Sequence, residues 1–156
     1  MRQAKVLTGE EVNAAISYCV NNTGKWGRRN RMMLILSHTT GMRVGEIAAL
    51  RLSDVLDVNG NVVTEVLLTA AMTKGNRARR VLLPQRTQNE LRNYIRHQFE
   101  LDSLRGVAYT FGFKPLFYTQ KLHRFTANKL SQTFSRIYSA AGIAGRSEEH
   151  TSELQS

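Results

Sequence analysis

The sequence contains little cysteine and little proline. It has a single cysteine, Cys19, and two prolines among 156 residues. One cysteine cannot form an internal disulfide, and its position among apolar residues at helical spacing predicts a buried core residue. No apolar run approaches the length of a membrane span, and the N-terminus lacks the apolar segment of a signal peptide. We therefore expect a cytoplasmic protein with no membrane partner, stabilised by a hydrophobic core.

Length and charge indicate the number of domains and the kind of partner. An apolar fraction of 42% in 156 residues is typical of one globular domain. The formal net charge is +10, which favours a polyanionic partner. Two groups of basic residues that converge on one face would suit a DNA backbone. The first basic cluster is Lys25, Arg28, Arg29 and Arg31, and the second basic cluster is Lys74, Arg77, Arg79 and Arg80.

Several stretches have the hydrophobic period of a helix. A capping-box pattern at residues 8–11 predicts the start of a first helix, and residues 28–40 predict a buried second helix. Residues 44–50 predict a short third helix. A second capping-box pattern at residues 87–90 predicts another helix start, and Thr126 is a candidate cap for the last helix. Tyr94, Tyr138 and His38 fall within these predicted helices, and we expect structural roles for all three.

Between the third and fourth predicted helices the pattern becomes that of strands. The Asn59-Gly60 turn lies between two valine-rich runs, residues 55–58 and 62–68, which predicts a β-hairpin. Residues 77–83 predict a third strand. The expected fold class is therefore α+β, a mostly helical domain with a small three-stranded antiparallel sheet.

The strongest chemical signal lies where the predicted second helix ends. Gly41 permits a sharp change of direction, and Arg43 follows at the corner before the third helix. Packed backbone on both sides would hold this arginine rigidly. A guanidinium presents a planar fork of donors, which suits a phosphate held in fixed geometry. On this evidence alone, an arginine after a glycine would usually be a solvated surface residue.

The full context of Arg43 resembles a known family. The T-G-M-R-x-x-E core at residues 40–46, the leucines that follow, and the L-S-D run are similar to the first arginine box of the tyrosine recombinases (phage integrases). The T-K-G turn at residues 73–75, followed by basic residues and V-L-L-P, resembles the hairpin that carries the family's catalytic lysine. Spacing alone would assign Lys74 to an ordinary solvated turn.

The resemblance implies an activity and roles for individual residues. It implies site-specific DNA recombination or integration through a phosphotyrosyl intermediate on double-stranded DNA, with no metal and no cofactor. Arg43 would bind a non-bridging oxygen of the transition state, Lys74 would protonate the departing 5′ oxygen, and Glu46 would support Arg43. The full-length parent would self-associate on DNA. The expected DNA contacts are Arg77, Arg79, Arg80, Arg28 and Arg29.

The sequence also departs from the family pattern. A His-x-x-Arg box, a later His or Trp and a nucleophilic tyrosine should follow the last predicted helix, and this sequence contains none of them there. Residues 146–156 resemble a translated sequencing adapter, and we expect a non-native, disordered tail. Residues 1–145 would then be a partial catalytic domain, incomplete at the C-terminus and inactive. The alternative interpretation is a non-catalytic DNA-binding module or regulator.

Overall fold

The structure is a computed structural model, and it describes residues 7–22 and 24–143. The predicted domain end at residue 145 and the predicted tail lie outside the described residues. The described residues form mostly helices, together with a short 3₁₀ turn at Gly24–Trp26 and one small sheet. The helices are α1 Gly9–Asn22, α2 Gly27–Thr40, α3 Val44–Ala49, α4 Leu52–Val55, α5 Gln85–Gln98, α6 Val107–Thr110 and α7 Ala127–Ala140, and the strands are β1 Glu65–Leu68 and β2 Arg79–Leu82.

Helix α2 is the centre of the core. Five consecutive apolar residues, 32–36, are all buried, because α1 and α5 pack against this helix and leave it no solvent-facing apolar side. Helix α7 packs against both α1 and α3. The predicted buried helix at residues 28–40 is thus confirmed. No helix in the described part of the chain is both long and apolar enough to cross a membrane.

Two of the three predicted helix caps are confirmed. The Glu11 N–H donates to Thr8 Oγ1 at 3.1 Å, and the Thr8 N–H donates to Glu11 Oε1 at 2.8 Å. At the start of α7, Thr126 Oγ1 accepts from the Lys129 N–H at 3.1 Å. Each cap satisfies a backbone donor that the first helical turn leaves without a partner.

The third predicted cap, at residues 87–90, is wrong. The N-cap lies three residues earlier, at Pro84, and helix α5 begins at Gln85. Proline ends the preceding strand because it lacks an N–H, and the helix starts directly after it. Thr87 is therefore already helical and faces α2, where its buried Oγ1 donates to Thr39 Oγ1 at 3.0 Å.

The prediction of a three-stranded sheet is also wrong, because the described residues form two strands. Strand β1 pairs antiparallel with β2, with Glu65 opposite Leu82 and Leu68 opposite Arg79. The first predicted strand, residues 55–58, is replaced by the end of α4 and a single bridge between Leu56 and Val62.

A side-chain cap explains the loss of that strand. Asp54 Oδ2 accepts the Arg51 N–H at 2.7 Å, which stabilises a helical turn over Leu52–Val55. The Asn59-Gly60 turn itself is present. Asp57 Oδ1 accepts from the N–H of Asn59 at 2.9 Å and from that of Asn61 at 3.0 Å.

Gly60 joins this turn to the loop before α6. Its φ of +87° lies in the left-handed region, and a Cβ at this position would approach Arg105 N to 2.6 Å. The Gly106 N–H donates to Val58 O at 3.0 Å in the same contact. The turn and the loop therefore pack backbone against backbone, which only glycine permits here.

We expect Gly60→Ala to lower the free energy of unfolding by about 2 kcal/mol or more, through backbone strain and the clash with Arg105. The measurement is urea denaturation followed by circular dichroism. Gly9→Ala is the matched control, since a Cβ on Gly9 would meet no described atom within 4 Å. Equal denaturation midpoints for the two variants would contradict this role of Gly60.

Candidate functional site

Arg43 lies at a rigid corner between α2 and α3. Gly41 adopts a left-handed φ of +71° and donates its N–H to Ser37 O at 3.2 Å, which ends α2. Met42 and Val44 are both 0% exposed, whereas the Arg43 side chain between them is exposed. The buried neighbours anchor the backbone on either side of the arginine. The predicted packing of the chain on both sides of this arginine is thus confirmed.

Glu46 connects this corner to the sheet. Its side chain is buried, and Oε1 accepts both the Arg43 N–H at 3.0 Å and Arg79 Nη2 at 2.6 Å. One carboxylate therefore holds the backbone at the start of α3 and the guanidinium of a β2 residue. A buried carboxylate is stable only when it is paired in this way.

Lys74 lies at the tip of the turn between β1 and β2. Thr73 closes the turn, because its Oγ1 accepts the Arg77 N–H at 3.0 Å and donates to Arg77 O at 2.8 Å. Asn76 takes a left-handed φ of +55° between them. The lysine is exposed on a short, hydrogen-bonded loop. Arg79, which Glu46 holds, begins the strand that follows this loop.

The arginines of the second basic cluster differ in their partners. Arg77, Arg79 and Arg80 are all exposed, and Arg80 lies 3.5 Å from Glu65 across the sheet. Arg79 has a protein partner in Glu46, which sequence reasoning missed. The acidic residue one helical turn after Arg43 was the signal available, but nothing in the local pattern indicates that its partner would be Arg79.

The first basic cluster does not form a phosphate-contacting surface as a whole. Arg28 is exposed, but Arg29 is 3% exposed and packs in the core. Arg31 forms an ion pair with Glu90 of α5. Arg29 as a DNA contact is thus corrected. Its spacing of three, four and seven residues before buried positions 32, 33 and 36 already places it on the inner face of α2.

The Arg29 guanidinium has hydrogen-bond acceptors and aromatic rings around it. Nη1 donates to Tyr118 O at 2.8 Å, while Nε and Nη2 donate to Asn30 Oδ1 at 3.0 and 2.9 Å. The guanidinium lies over the rings of Trp26 and Phe125, at 4.5 and 5.0 Å from their centroids. These contacts are with neutral oxygens and aromatic faces, and none of them is with a carboxylate.

Three other reactive side chains considered in the sequence analysis, Cys19, Tyr94 and Tyr138, are buried in the core. Tyr94 donates its hydroxyl to Leu116 O at 2.9 Å, and the Tyr138 hydroxyl lies 3.2 Å from His38 Nε2. Burial raises the pKa of both tyrosines, and it raises the pKa of the Cys19 thiol to about 12. The predicted core positions of Cys19, Tyr94 and Tyr138 are confirmed.

Comparison with known proteins identifies the family. The sequence model described as "Phage integrase family" matches residues 5–152. The chain belongs to the phage integrase family. Among curated relatives, tyrosine recombinase XerD of Rickettsia bellii is 28% identical over 92 residues, which are 58% of this chain and 30% of that protein. Tyrosine recombinase XerA of Pyrococcus furiosus is 31% identical over 94 residues, which are 60% of this chain and 29% of that protein.

A solved structure supports the fold. A crystal structure of XerA recombinase superposes with a TM-score of 0.65 at 19% sequence identity, covering 94% of this chain and 45% of that chain. The mostly helical α+β arrangement with its small antiparallel sheet is thus a recombinase-like fold. This phage integrase family chain spans about 30% of the length of the curated XerD and XerA relatives.

We expect Glu46→Gln to lower the free energy of unfolding by about 2 kcal/mol, because the amide keeps an acceptor for Arg43 but removes the charge that pairs with Arg79. Glu65→Gln is the matched control. It breaks an exposed pair and should change stability by less than about 0.5 kcal/mol. Chemical denaturation of both variants checks this. An effect of Glu65→Gln as large as that of Glu46→Gln would contradict the structural role of Glu46.

Proposed function

We propose that this chain contributes part of a tyrosine recombinase active site and that it binds double-stranded DNA through the surface around Arg43 and Lys74. The observation that carries the proposal is the Glu46 carboxylate, which bonds to the backbone of Arg43 and to the guanidinium of Arg79. This link restrains the corner between α2 and α3 and the β1–β2 hairpin with respect to each other. A fixed relation between two cationic groups is what phosphoryl transfer requires of a binding site.

In this proposal the residues act on one phosphodiester. A tyrosine hydroxyl loses its proton to water and its oxygen forms a bond to phosphorus, while the bond from phosphorus to the 5′ oxygen breaks. The phosphate remains attached to the 3′ oxygen as a phosphotyrosyl diester. Arg43 donates to non-bridging oxygens, where negative charge accumulates in the transition state. The Lys74 ammonium transfers a proton to the departing 5′ oxygen and so stabilises the leaving group. Glu46 is a positioning residue, because it orients Arg43 and does not itself touch the phosphate.

The nucleophile of that reaction is not assigned to any tyrosine of the core. Tyr94 and Tyr138 are 4% and 0% exposed, and burial raises the pKa of both hydroxyls. A buried neutral hydroxyl bonded within the protein cannot reach a DNA phosphate. Because the sequence also lacks the His-x-x-Arg box that accompanies the family's nucleophile, we propose that the 156-residue polypeptide binds DNA without cleaving it. Recombination and self-association on DNA would require the His-x-x-Arg and tyrosine elements as well.

The sequence contains no His-x-x-Arg box, and Tyr94 and Tyr138 are buried. Both observations also favour a second candidate function, a non-catalytic DNA-binding module or regulator. Both candidates use the same exposed cations, so DNA affinity alone does not separate them. The two candidates differ once the His-x-x-Arg box and the nucleophilic tyrosine are supplied, because only the recombinase would then form a covalent bond to DNA.

We expect binding of duplex DNA to weaken linearly with the logarithm of salt concentration, and Arg77→Ala or Arg80→Ala to reduce the slope by about one for each lost phosphate contact. Fluorescence anisotropy with a labelled duplex measures this. Arg105→Ala is the control, since Arg105 is exposed and lies in neither basic cluster. Equal slopes for all three variants would place the DNA contacts elsewhere.

A fusion that adds a family C-terminal segment with the His-x-x-Arg box and the tyrosine tests catalysis. We expect a covalent protein–DNA adduct on denaturing gels with a nicked suicide substrate. Arg43→Ala should lower the rate of adduct formation by about 100-fold or more, and Lys74→Ala by a similar factor. DNA binding without any adduct would favour the non-catalytic module. An adduct that forms equally fast in the Arg43→Ala variant would contradict the role proposed for Arg43.

A further inference from the structure

A second polar site lies away from Arg43 and from the β1–β2 hairpin that carries Lys74. A cavity of about 400 Å³ opens between α1, α2 and α7. Its lining includes the two arginines Arg29 and Arg136, the amide side chains of Asn22 and Asn30, and the ring of Trp26. Neither Arg43 nor Lys74 borders this cavity. Ligand binding at this cavity is therefore independent of the proposed function.

Arg29 brings a buried positive charge to the cavity. It is 3% exposed, and three of its five guanidinium N–H donors have partners among the described residues, all of them neutral oxygens. No acidic side chain of the described residues borders the cavity. A buried cation without a carboxylate partner is costly, because its charge is removed from water and is not neutralised.

Arg136 adds a second positive charge at the same place. It is exposed on α7 and borders the cavity. Burial lowers the pKa of the Arg29 guanidinium to about 10, and the charge of Arg136 acts in the same direction. The two side chains thus repel each other across the site. An anion placed between them would reverse this repulsion and neutralise part of the buried charge.

We propose that this cavity binds a small oxyanion of the phosphate class, held by Arg29 and Arg136. The guanidinium fork matches the oxygens of a phosphate, and the side-chain amide of Asn22 can supply a further neutral donor. The Trp26 ring lies against Arg29, with its centroid 4.5 Å from the guanidinium carbon. The depth of Arg29 makes a free phosphate or a phosphate monoester a better ligand than the backbone of a duplex.

The protein carries its own reporter for this site. Trp26 is the sole tryptophan, it borders the cavity, and it contacts Arg29. We expect a saturable change of tryptophan fluorescence when inorganic phosphate is added at constant ionic strength, with chloride as the balancing salt. At a tenfold excess of phosphate over its dissociation constant, the melting temperature should rise by about 4 °C.

Two variants test the assignment by different routes. Arg136→Gln removes the exposed cation and should weaken phosphate binding at least tenfold. Asn30→Asp puts a carboxylate next to Arg29, which should raise the stability of the phosphate-free protein and also weaken phosphate binding at least tenfold. Arg105→Gln is the matched control, because it removes an exposed arginine outside the cavity and should leave the titration unchanged.

Several outcomes would overturn the proposal. A linear, non-saturating response or an equal response to chloride would mean that the cavity has no oxyanion site. Equal phosphate affinity in Arg136→Gln, Asn30→Asp and the parent protein would have the same meaning. A duplex DNA oligonucleotide is the second ligand in the assay. A fluorescence response to the duplex with none to phosphate would replace a small-anion site by a DNA contact.

Discussion

The candidate site depends on the hydrogen bonds that the buried Glu46 carboxylate accepts from Arg43 and Arg79. A carboxylate that is 2% exposed must be paired, and here its partners come from two separate elements. The Arg43 N–H belongs to the start of α3, and the Arg79 guanidinium belongs to β2. Because the charge cannot remain unpaired in the core, the corner and the sheet are restrained together. The exposed side chains of Arg43 and Lys74 are carried by elements that this one group connects.

Among the described residues, helix α2 contains the other buried charged side chain, Arg29, and the fold accommodates it differently. Arg29 has no carboxylate partner among the described residues, and neutral oxygens and two aromatic rings surround its guanidinium. Glu46 is hydrogen-bonded to Arg43 and forms an ion pair with Arg79, so its role is structural. Arg29 retains donors at the edge of a cavity, which is why a ligand is inferred there. The two sites therefore have different chemistry although arginine contributes to both.

Local patterns predicted most helices of the fold and failed where two local signals competed. Thr8 and Thr126 cap helices as expected, since a cap depends on residues three positions apart. The valine-rich run at residues 55–58 indicated a strand, but Asp54 stabilises a helical turn directly before it. Thr87 has the spacing of a cap, but Pro84 starts the helix before it. In both errors a neighbouring residue with a stronger local preference decided the outcome.

The sequence by itself determined the family resemblance and the corner at Gly41, because these features depend on contiguous residues. It also placed Lys74 on a turn. Only the tertiary structure decided that Arg79 pairs with Glu46, 33 residues away, and that Arg29 contacts the backbone of Tyr118, 89 residues away. These partners lie far apart in the chain and meet only when the hairpin and the loop before α7 pack on the helices. Local propensity extends over a few residues, so it cannot select such contacts.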